Sequence, residues 1–200
     1  MSMTSYTLRP LSCNDRNAFL GLVNSGIDYA YWRTNGKTPE QATNEYMEGA
    51  KAIALGAYKN VGLTAICESG KLIGCACILP KRDAGWAEIG FFLHPDYQGL
   101  KIGTWAAYNA VTHAVRSFNV TNLWASVRPD NTPSLVILKK FGMRKHMFVE
   151  HSPYCDKNGQ SEPRWIYQAH TNLLLPALAK MHAEPPVPLA RTARGDALNR

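Results

Sequence analysis

The sequence predicts an α/β fold in which helices cover both faces of one mixed sheet. Segments with strand-like alternation and segments with helical spacing of apolar residues follow one another in the order βααβββαβαββ. In the second half of the chain strands alternate with helices, a pattern typical of sheets that carry helices on both faces. The 200 residues, of which 46% are hydrophobic, suffice for a core without disulfide or metal support.

The chain begins with one strand and two helices. Apolar and polar residues alternate loosely over residues 6–11, which predicts a strand. Pro10 ends this strand and places it at the edge of the sheet. Residues 14–32 carry apolar side chains at helical spacing. Thr38, followed by a proline and a glutamate, is typical of a helix start, so the second helix runs to about Leu55.

Three strands follow these helices. They are predicted over residues 63–68, 71–79 and 86–93. The turn at Ser69 and Gly70 joins the first two strands as a hairpin. Pro95 ends the third strand, because proline cannot donate a hydrogen bond inside a sheet.

The second half of the chain alternates helices with strands and ends in a tail. Helices are predicted over 103–118 and 134–140, and strands over 123–128, 145–150 and 164–171. We expect one domain over residues 1–172. The tail over residues 173–200 is expected to be largely disordered after an initial helical turn, because a proline cluster near its middle stops regular structure.

Composition excludes several classes of protein. The longest apolar run, Leu72–Leu79, has eight residues, whereas a membrane crossing needs about 20. The first twenty residues lack an apolar block, so no secretory signal is expected. Five cysteines without a Cys-x-x-Cys pair indicate reduced thiols in a cytoplasmic protein and no zinc ribbon. Cys75 and Cys77 would share one strand face as buried apolar side chains.

The charge balance favours an anionic ligand. Twenty-two basic and 15 acidic side chains give a net charge of +7. This excess suits a phosphorylated cofactor, an acidic partner or RNA, and it argues against a polycationic substrate. Many domains carry such an excess with no polyanionic partner, and that alternative stays open.

The stretch from Gln98 to Thr104 is a glycine-containing loop between a strand end and a helix. Gly99 and Gly103 allow backbone amides to approach a ligand, and amides at a helix N-terminus favour an anion such as a pyrophosphate. The common phosphate-loop, dinucleotide, nucleophile-elbow and zinc-helix motifs are absent from the sequence. On spacing alone, a plain strand–turn–helix joint explains the same residues.

Residues 87–104, AEIGFFLHPDYQGLKIGT, resemble the signature of the GNAT superfamily of acyl-CoA N-acyltransferases. The family loop reads Gln/Arg-x-x-Gly-x-Gly/Ala, and here Gln98 and Gly103 match while Lys101 replaces the central glycine. A second match combines Asn-Thr-Pro-Ser, beginning at residue 131, with a lysine-rich turn that ends at Gly142. The likeness is greatest to the RimJ/RimL-like branch, whose known members acetylate the N-termini of ribosomal proteins. It covers about residues 6–171 and implies a mixed, mostly antiparallel sheet flanked by helices.

The resemblance implies acetyl-CoA as cosubstrate and no metal. Backbone groups of Phe92 and Leu93 would pair with the pantetheine arm, and the Leu93 amide would face the thioester oxygen. Asn131 would bond to the pantetheine or to the far end of the cofactor. The pyrophosphate would be held by the loop residues Gln98, Gly99, Leu100, Lys101, Ile102, Gly103 and Thr104.

The family reaction, attack of an amine on a thioester, requires proton transfers at both reactants. Glu88 is the candidate base and His94 the second candidate; for each, an ordinary structural or exposed side chain is the alternative. Ser134 is the candidate acid, because Leu138 stands where many members have a tyrosine. A helix cap is the alternative role for Ser134. Ser126 stands where some relatives have a glutamate base.

The end of the first predicted helix falls where this fold shapes the acceptor pocket. We expect three aromatic side chains and one cation to form a wall of that pocket: Tyr29, Tyr31, Trp32 and Arg33. The alternative is that some of these rings pack in the core and that the arginine is solvated. The resemblance therefore predicts an N-acetyltransferase that acts in a ternary complex on a primary amine, either a protein N-terminus or a small molecule. A non-catalytic acyl-CoA-binding domain and a tRNA-acetylating toxin are the alternatives. No membrane is expected as a partner, nucleic acid is not favoured, and a homodimer is a candidate assembly.

Overall fold

The computed structural model contains one seven-stranded sheet with helices on both faces. The structure describes residues 5–25, 37–56, 62–80, 85–155, 159–178 and 184–186. The strands are β1 (Tyr6–Pro10), β2 (Gly62–Glu68), β3 (Lys71–Pro80), β4 (Trp86–Leu93), β5 (Asn122–Val127), β6 (Arg144–Val149) and β7 (Arg164–His170). The helices are α1 (Arg16–Asn24), α2 (Pro39–Ala54), α3 (Ile102–Ser117), α4 (Thr132–Lys140) and α5 (Thr171–Leu178).

The sheet is mixed and mostly antiparallel, as predicted. Its strand order is β1-β2-β3-β4-β5-β7-β6. Only β4 and β5 pair in parallel, because α3 connects them as a crossover, whereas every other neighbouring pair is antiparallel. The predicted order of elements is confirmed over residues 6–170, and α5 follows it.

Two apolar layers lie on opposite faces of the sheet. Alternate residues of β3 take part in different layers: Cys75 and Cys77 pack with α1 and α2, and Ala76 and Ile78 pack with α3, α4 and α5. The expectation that the two cysteines are buried on one face is confirmed, since both side chains are almost fully buried and neither forms a disulfide.

The bounds of the first two helices bear on the predictions. Thr38 caps α2 with the expected hydroxyl and a reciprocal Gln41 bond. The first helix was predicted over residues 14–32 and is seen as α1 to Asn24. The predicted acceptor wall of Tyr29, Tyr31, Trp32 and Arg33 lies outside the described residues.

The predicted tail begins inside α5, which spans eight residues from Thr171 to Leu178 and is longer than the expected helical turn. Leu174 of this helix is fully buried in the layer formed by α3, α4 and β5. The start of the tail is therefore packed against the sheet. The division of the chain into residues 1–172 and 173–200 stays a prediction.

The feature that positions the site is the divergence of β4 from β5. The two strands pair only from Trp86 with Asn122 to Glu88 with Trp124. Beyond Glu88, β4 continues to Leu93 along β3 alone. The edge of β4 that faces β5 therefore has no β5 partner over its last five residues, and the two strands open into a groove.

Candidate functional site

A groove of about 570 Å³ lies between the diverging strands and the N-termini of α3 and α4. Most of the residues that sequence analysis selected line this groove together: Phe92, Leu93, Gln98, Gly99, Lys101, Gly103, Thr104, Asn131 and Ser134. Four of the selected residues that the structure describes do not line it: Glu88, His94, Leu100 and Ile102. Chain segments that are more than 30 residues apart thus meet at one site.

The end of β4 presents backbone groups to the groove. The His94 amide donates to the Ile73 carbonyl of β3 over 2.8 Å. Because hydrogen-bonded and non-hydrogen-bonded pairs alternate along antiparallel strands, the Leu93 amide points away from β3, toward the groove, while Phe92 pairs its backbone with β3. The Gln98 Nε2 donates to the Leu93 carbonyl over 3.2 Å, so Gln98 braces the end of the strand.

His94 serves the turn after β4. Its Nδ1 accepts from the Asp96 amide over 3.3 Å and caps the short 3-10 turn Pro95–Tyr97. The residue does not line the groove. This placement matches the alternative of a turn histidine.

The N-terminus of α3 presents amides without helical partners. Lys101 is the N-cap, and its side chain makes no capping hydrogen bond. The Trp105 amide makes the first bond of the helix, to the Lys101 carbonyl. The amides of residues 102–104 therefore have no acceptor within the helix, and together with the helix dipole they favour an anion.

Two apolar side chains anchor the loop over residues 98–104 to the core. Ile102 is fully buried against Tyr97 and Trp105, and Leu100 packs on the same cluster. Their side chains therefore support the loop, and only their backbone can reach a ligand. Gly103 faces the groove: an added Cβ would lie 3.4 Å from Leu93 Cδ1 and 3.7 Å from Ile137 Cδ1.

The N-terminus of α4 forms the opposite wall. Asn131 is the N-cap, and its Oδ1 accepts from the Ser134 amide over 3.2 Å. The alternative that Ser134 itself caps the helix is thereby wrong, and its side chain lies in the first turn at the groove. Leu138, the residue in the position of the family tyrosine, also lines the groove and is almost fully buried.

Glu88 lies beneath the groove wall rather than on it. The residue is 3% exposed, and its Oε1 accepts from the Tyr154 hydroxyl over 2.9 Å. Burial, reinforced by the Glu88 charge, raises the pKa of Tyr154. Tyr154 therefore stays protonated at neutral pH and donates to the carboxylate.

An ion-pair chain extends from this point along the groove. The Arg164 guanidinium lies over the Tyr154 ring at 4.7 Å and bonds to Glu162 over 2.8 Å. Arg128 also pairs with Glu162 and, through two bonds, with Asp130. Sequence reasoning missed these groups. Tyr154 stands 66 residues from Glu88, and no local pattern marks it.

Ser126 lies on β5 at the wall of the groove and is 8% exposed. Its Oγ has no hydrogen-bond partner among the residues that the structure describes. Within the same residues, no group of three or more His, Cys, Asp or Glu side chains could hold a metal ion. None of the described helices has the length and apolar character that a membrane span requires.

Comparison with known proteins identifies the family. A family model described as an acetyltransferase (GNAT) domain matches residues 6–144. YnaD of Bacillus subtilis (strain 168), an uncharacterized N-acetyltransferase, is 33% identical over 63 residues, which are 32% of this chain. That match spans 37% of the length of YnaD.

Solved structures show the same fold. RimJ of Mycobacterium smegmatis, in complex with CoA-disulfide, has a TM-score of 0.67 at 18% identity and covers 84% of this chain and 83% of its own. The ribosomal-protein-S5-alanine acetyltransferase of Vibrio fischeri has a TM-score of 0.68 at 16% identity, over 83% of this chain and 93% of its own. The family model matches well over half of this chain, and the fold is that of the solved acetyltransferases. The chain therefore belongs to the GNAT acetyltransferase family.

Proposed function

We propose that the protein is an acetyl-CoA-dependent N-acetyltransferase that transfers the acetyl group to a primary amine by direct attack in a ternary complex. The observation that carries the proposal is the set of amides at residues 102–104 that have no acceptor within α3; they lie at a groove beside the part of β4 that has no β5 partner. The amides of residues 102–104 would suit the diphosphate of the cosubstrate. The edge of β4 would suit its extended pantetheine arm, which itself carries amide groups.

Lys101 adds a second argument for an anion. Lys101 is the N-cap residue of α3, and a cationic side chain at the positive end of a helix dipole is unfavourable unless an anion is bound there. The residue also lines the groove. A diphosphate between Lys101 and the amides of residues 102–104 would relieve this repulsion.

The groups around the groove support the steps of acetyl transfer. The Leu93 amide, which points toward the groove, would stabilise the oxyanion that forms on the thioester, and Ser134 would donate a proton to the leaving thiolate. Glu88 would take the proton that the amine releases. Asn131 uses its Oδ1 as a helix cap and retains its Nδ2 as a donor for the cosubstrate.

The acceptor is a protein N-terminus or a small-molecule amine. One similarly folded protein is named a ribosomal-protein-S5-alanine acetyltransferase, which supports the first class. The second candidate function, an acyl-CoA-binding domain without activity, is favoured by Leu138 in the tyrosine position and by the absence of Glu88 from the groove lining. The cytoplasmic location and the homodimer stay predictions.

Two measurements test the proposal. Calorimetry measures acetyl-CoA binding, and release of free thiol measures turnover with peptides that begin with alanine or serine, with spermidine and with benzylamine. We expect saturable binding and turnover with at least one amine. Binding without turnover on the whole panel would favour the binding domain, and no binding at saturating acetyl-CoA would overturn both functions.

A further inference from the structure

Gly74 is a buried glycine in the middle of β3, opposite Leu93 of β4. Glycine weakens a strand because it has no side chain to pack, and inside a sheet it often marks a place where another backbone comes close. Gly74 does not have a positive φ, so a need for backbone freedom does not explain the glycine. The explanation lies in the space between β3 and the end of β4.

The backbone of β4 occupies the space that a side chain at Gly74 would need. An added Cβ would lie 2.5 Å from the Phe92 carbonyl oxygen and 3.2 Å from Leu93 Cα. A carbon atom stays roughly 3.3 Å or more from a carbonyl oxygen even in close CH···O contacts. The glycine therefore allows the Phe92 carbonyl to lie directly against β3.

The same contact fixes the direction of the Leu93 amide. The Phe92 carbonyl and the Leu93 N–H belong to one planar trans peptide, so they point in opposite directions. The carbonyl points toward Gly74, and the N–H therefore points to the other side of β4, where β5 has diverged and the groove begins. A displacement of this carbonyl would change the direction of the N–H.

The end of β4, rather than β3, would yield to an added side chain. β3 is held on its other side by β2, with which it pairs along its length. β4 has no strand on its groove side after Glu88. The strand with one neighbour moves more easily than the strand with two, so the Phe92–Leu93 peptide would be displaced.

The peptide that follows Leu93 is anchored separately. The Leu93 carbonyl accepts from Gln98 Nε2 over 3.2 Å, and the His94 amide donates to the Ile73 carbonyl over 2.8 Å. These bonds hold the chain on the far side of Leu93. A push from β3 would therefore be taken up by rotation of the Phe92–Leu93 peptide.

The Leu93 side chain lies in a slot with a glycine on two sides. An added Cβ would lie 2.6 Å from Leu93 Cδ2 at Gly74, and 3.4 Å from Leu93 Cδ1 at Gly103. Leu93 is almost fully buried in the cluster that also contains Ile102. The residue that presents the amide is thus packed between β3 and the first turn of α3.

We infer that Gly74 is a positioning residue: its missing side chain lets the Phe92–Leu93 peptide lie against β3, and this contact directs the Leu93 N–H at the thioester carbonyl. The inference rests on the proposed function, in which that N–H stabilises the oxyanion. Gly74 itself does not line the groove, so it acts only through β4.

Gly74→Ala tests the inference with a single methyl group. The methyl group displaces the Phe92 carbonyl and turns the Leu93 N–H away from the thioester. We expect kcat to fall at least about tenfold, since loss of one oxyanion donor costs about 10²–10³ in kcat. The acetyl-CoA dissociation constant should stay at the parental value, because the diphosphate would be held by α3. Release of free thiol and calorimetry measure the two quantities.

Infrared difference spectroscopy measures the hydrogen bond itself. The cosubstrate is acetyl-CoA that carries an isotopic label at the acetyl carbonyl carbon. A donated hydrogen bond weakens the C=O bond and lowers its stretching frequency, so the band of the bound cosubstrate should lie at higher wavenumber in Gly74→Ala than in the parent. A loss of stability alone does not move the band of a cosubstrate that is still bound.

Gly62 of β2 offers a matched control. It is also a strand glycine, and an added Cβ would make ordinary contacts, 3.7 Å from Phe118 Cε2 and 3.9 Å from Ile78 Cβ. The residue does not line the groove. Gly62→Ala should therefore keep the parental kcat and the parental carbonyl band.

Hydrogen exchange in the parent protein provides a test that does not depend on the folding of Gly74→Ala. The Leu93 amide faces the groove, whereas the His94 amide is bonded to Ile73. Without ligand, the Leu93 amide should exchange at least about tenfold faster than the His94 amide. Acetyl-CoA should slow the Leu93 exchange more than CoA does, because only acetyl-CoA carries the acetyl carbonyl. Nuclear magnetic resonance resolves the two amides.

The outcomes are separable. The inference requires both a lower kcat and a moved carbonyl band in Gly74→Ala; parental values of either one overturn it and leave the proposed function standing. Weaker acetyl-CoA binding by the same factor as the loss of kcat also overturns it, because Gly74 would then only shape the cosubstrate site.

Two results in the parent protein complete the test. A Leu93 amide that exchanges as slowly as the His94 amide without ligand overturns the inference, whether or not Gly74→Ala folds. A parent protein that turns over no amine overturns the proposed function, and the inference falls with it.

Discussion

At the scale of single residues, Lys101 shows how this chain departs from its family without losing the shape of the loop. Its φ of 63° lies in the left-handed region, which glycine adopts freely and which costs other residues about 1 kcal/mol or more. The family has a glycine at this position. The loop therefore keeps the backbone turn that points the following amides at the groove.

Gly103 provides the residue-scale prediction. A valine side chain here enters the groove between Leu93 and Ile137, where the cosubstrate would lie, without a close backbone contact. We expect Gly103→Val to raise the acetyl-CoA dissociation constant about tenfold or more, which corresponds to about 1.4 kcal/mol. Isothermal calorimetry measures the change.

Gly21 is the matched control for this prediction. It is also a helical glycine, an added Cβ would meet nothing within 4 Å, and it lies in α1 away from the groove. Gly21→Val should leave the dissociation constant unchanged. Equal affinity of Gly103→Val and the parent would remove the loop from the cosubstrate site.

At the scale of elements, the groove is made where regular structure ends. Strand β4 loses its parallel neighbour after Glu88, and helices α3 and α4 both begin at the resulting opening. Unpaired backbone donors collect there because the first amides of a helix and the free edge of a strand have no partners. The site is therefore built largely from backbone, and side chains refine it.

The cap of α4 gives a prediction at this scale. Asn131→Ala removes the acceptor of the Ser134 amide and should lower the free energy of unfolding by about 1 kcal/mol. Asn131→Asp keeps a capping oxygen and should retain the parental stability. Urea denaturation measures both values.

Acetyl-CoA affinity separates the two roles of this residue. Both variants lack Nδ2, so both should bind acetyl-CoA more weakly than the parent if that group contacts the cosubstrate. Parental affinity in Asn131→Asp would limit the residue to its role as a helix cap.

At the scale of the whole molecule, an ion pair ties the edge of the sheet to the first helix. Arg9 of β1 makes two bonds to Asp15, of 2.6 and 2.7 Å, just before α1. The hydrogen bonds from Arg9 lower the pKa of Asp15, whose side chain is largely buried. A depressed carboxyl pKa stabilises the folded state above the unfolded pKa, near 3.9, and that stabilisation is lost as pH falls through the folded value.

The resulting prediction concerns Asp15→Asn. The substitution should lower the free energy of unfolding by about 2 kcal/mol at pH 6. The difference from the parent should shrink as the pH falls below about 4, because Asp15 of the unfolded parent then takes up a proton while the folded parent, with its lower pKa, still has to be protonated. Denaturation at pH 6 and pH 3 measures this.

Glu45→Gln serves as the control. Glu45 is exposed, so its ion pair with Lys37 should contribute little to the free energy of unfolding, and the variant should match the parent. A difference between Asp15→Asn and the parent that is the same at both pH values would contradict the assignment.

Much of the fold was predictable from local patterns, and the site was predictable only in part. The Thr38 cap, the alternation that buries Cys75 and Cys77, and the Pro95 end of β4 depend on neighbouring residues alone. The resemblance of residues 87–104 located the loop, and the family match agrees with it. The position of the loop was therefore visible early, whereas the roles of its backbone amides and of the individual side chains at its rim remain proposals.

The sequence by itself determined the order of elements, the turn residues and the loop that begins α3, because each follows from interactions within a few positions along the chain. Only the tertiary structure decided that Glu88 lies behind the groove wall against Tyr154, that Asn131 and not Ser134 caps α4, and that the Ser126 hydroxyl lacks a hydrogen-bond partner among the described residues. These outcomes depend on how strands and helices far apart in the chain pack together. No pattern of neighbouring residues records that packing.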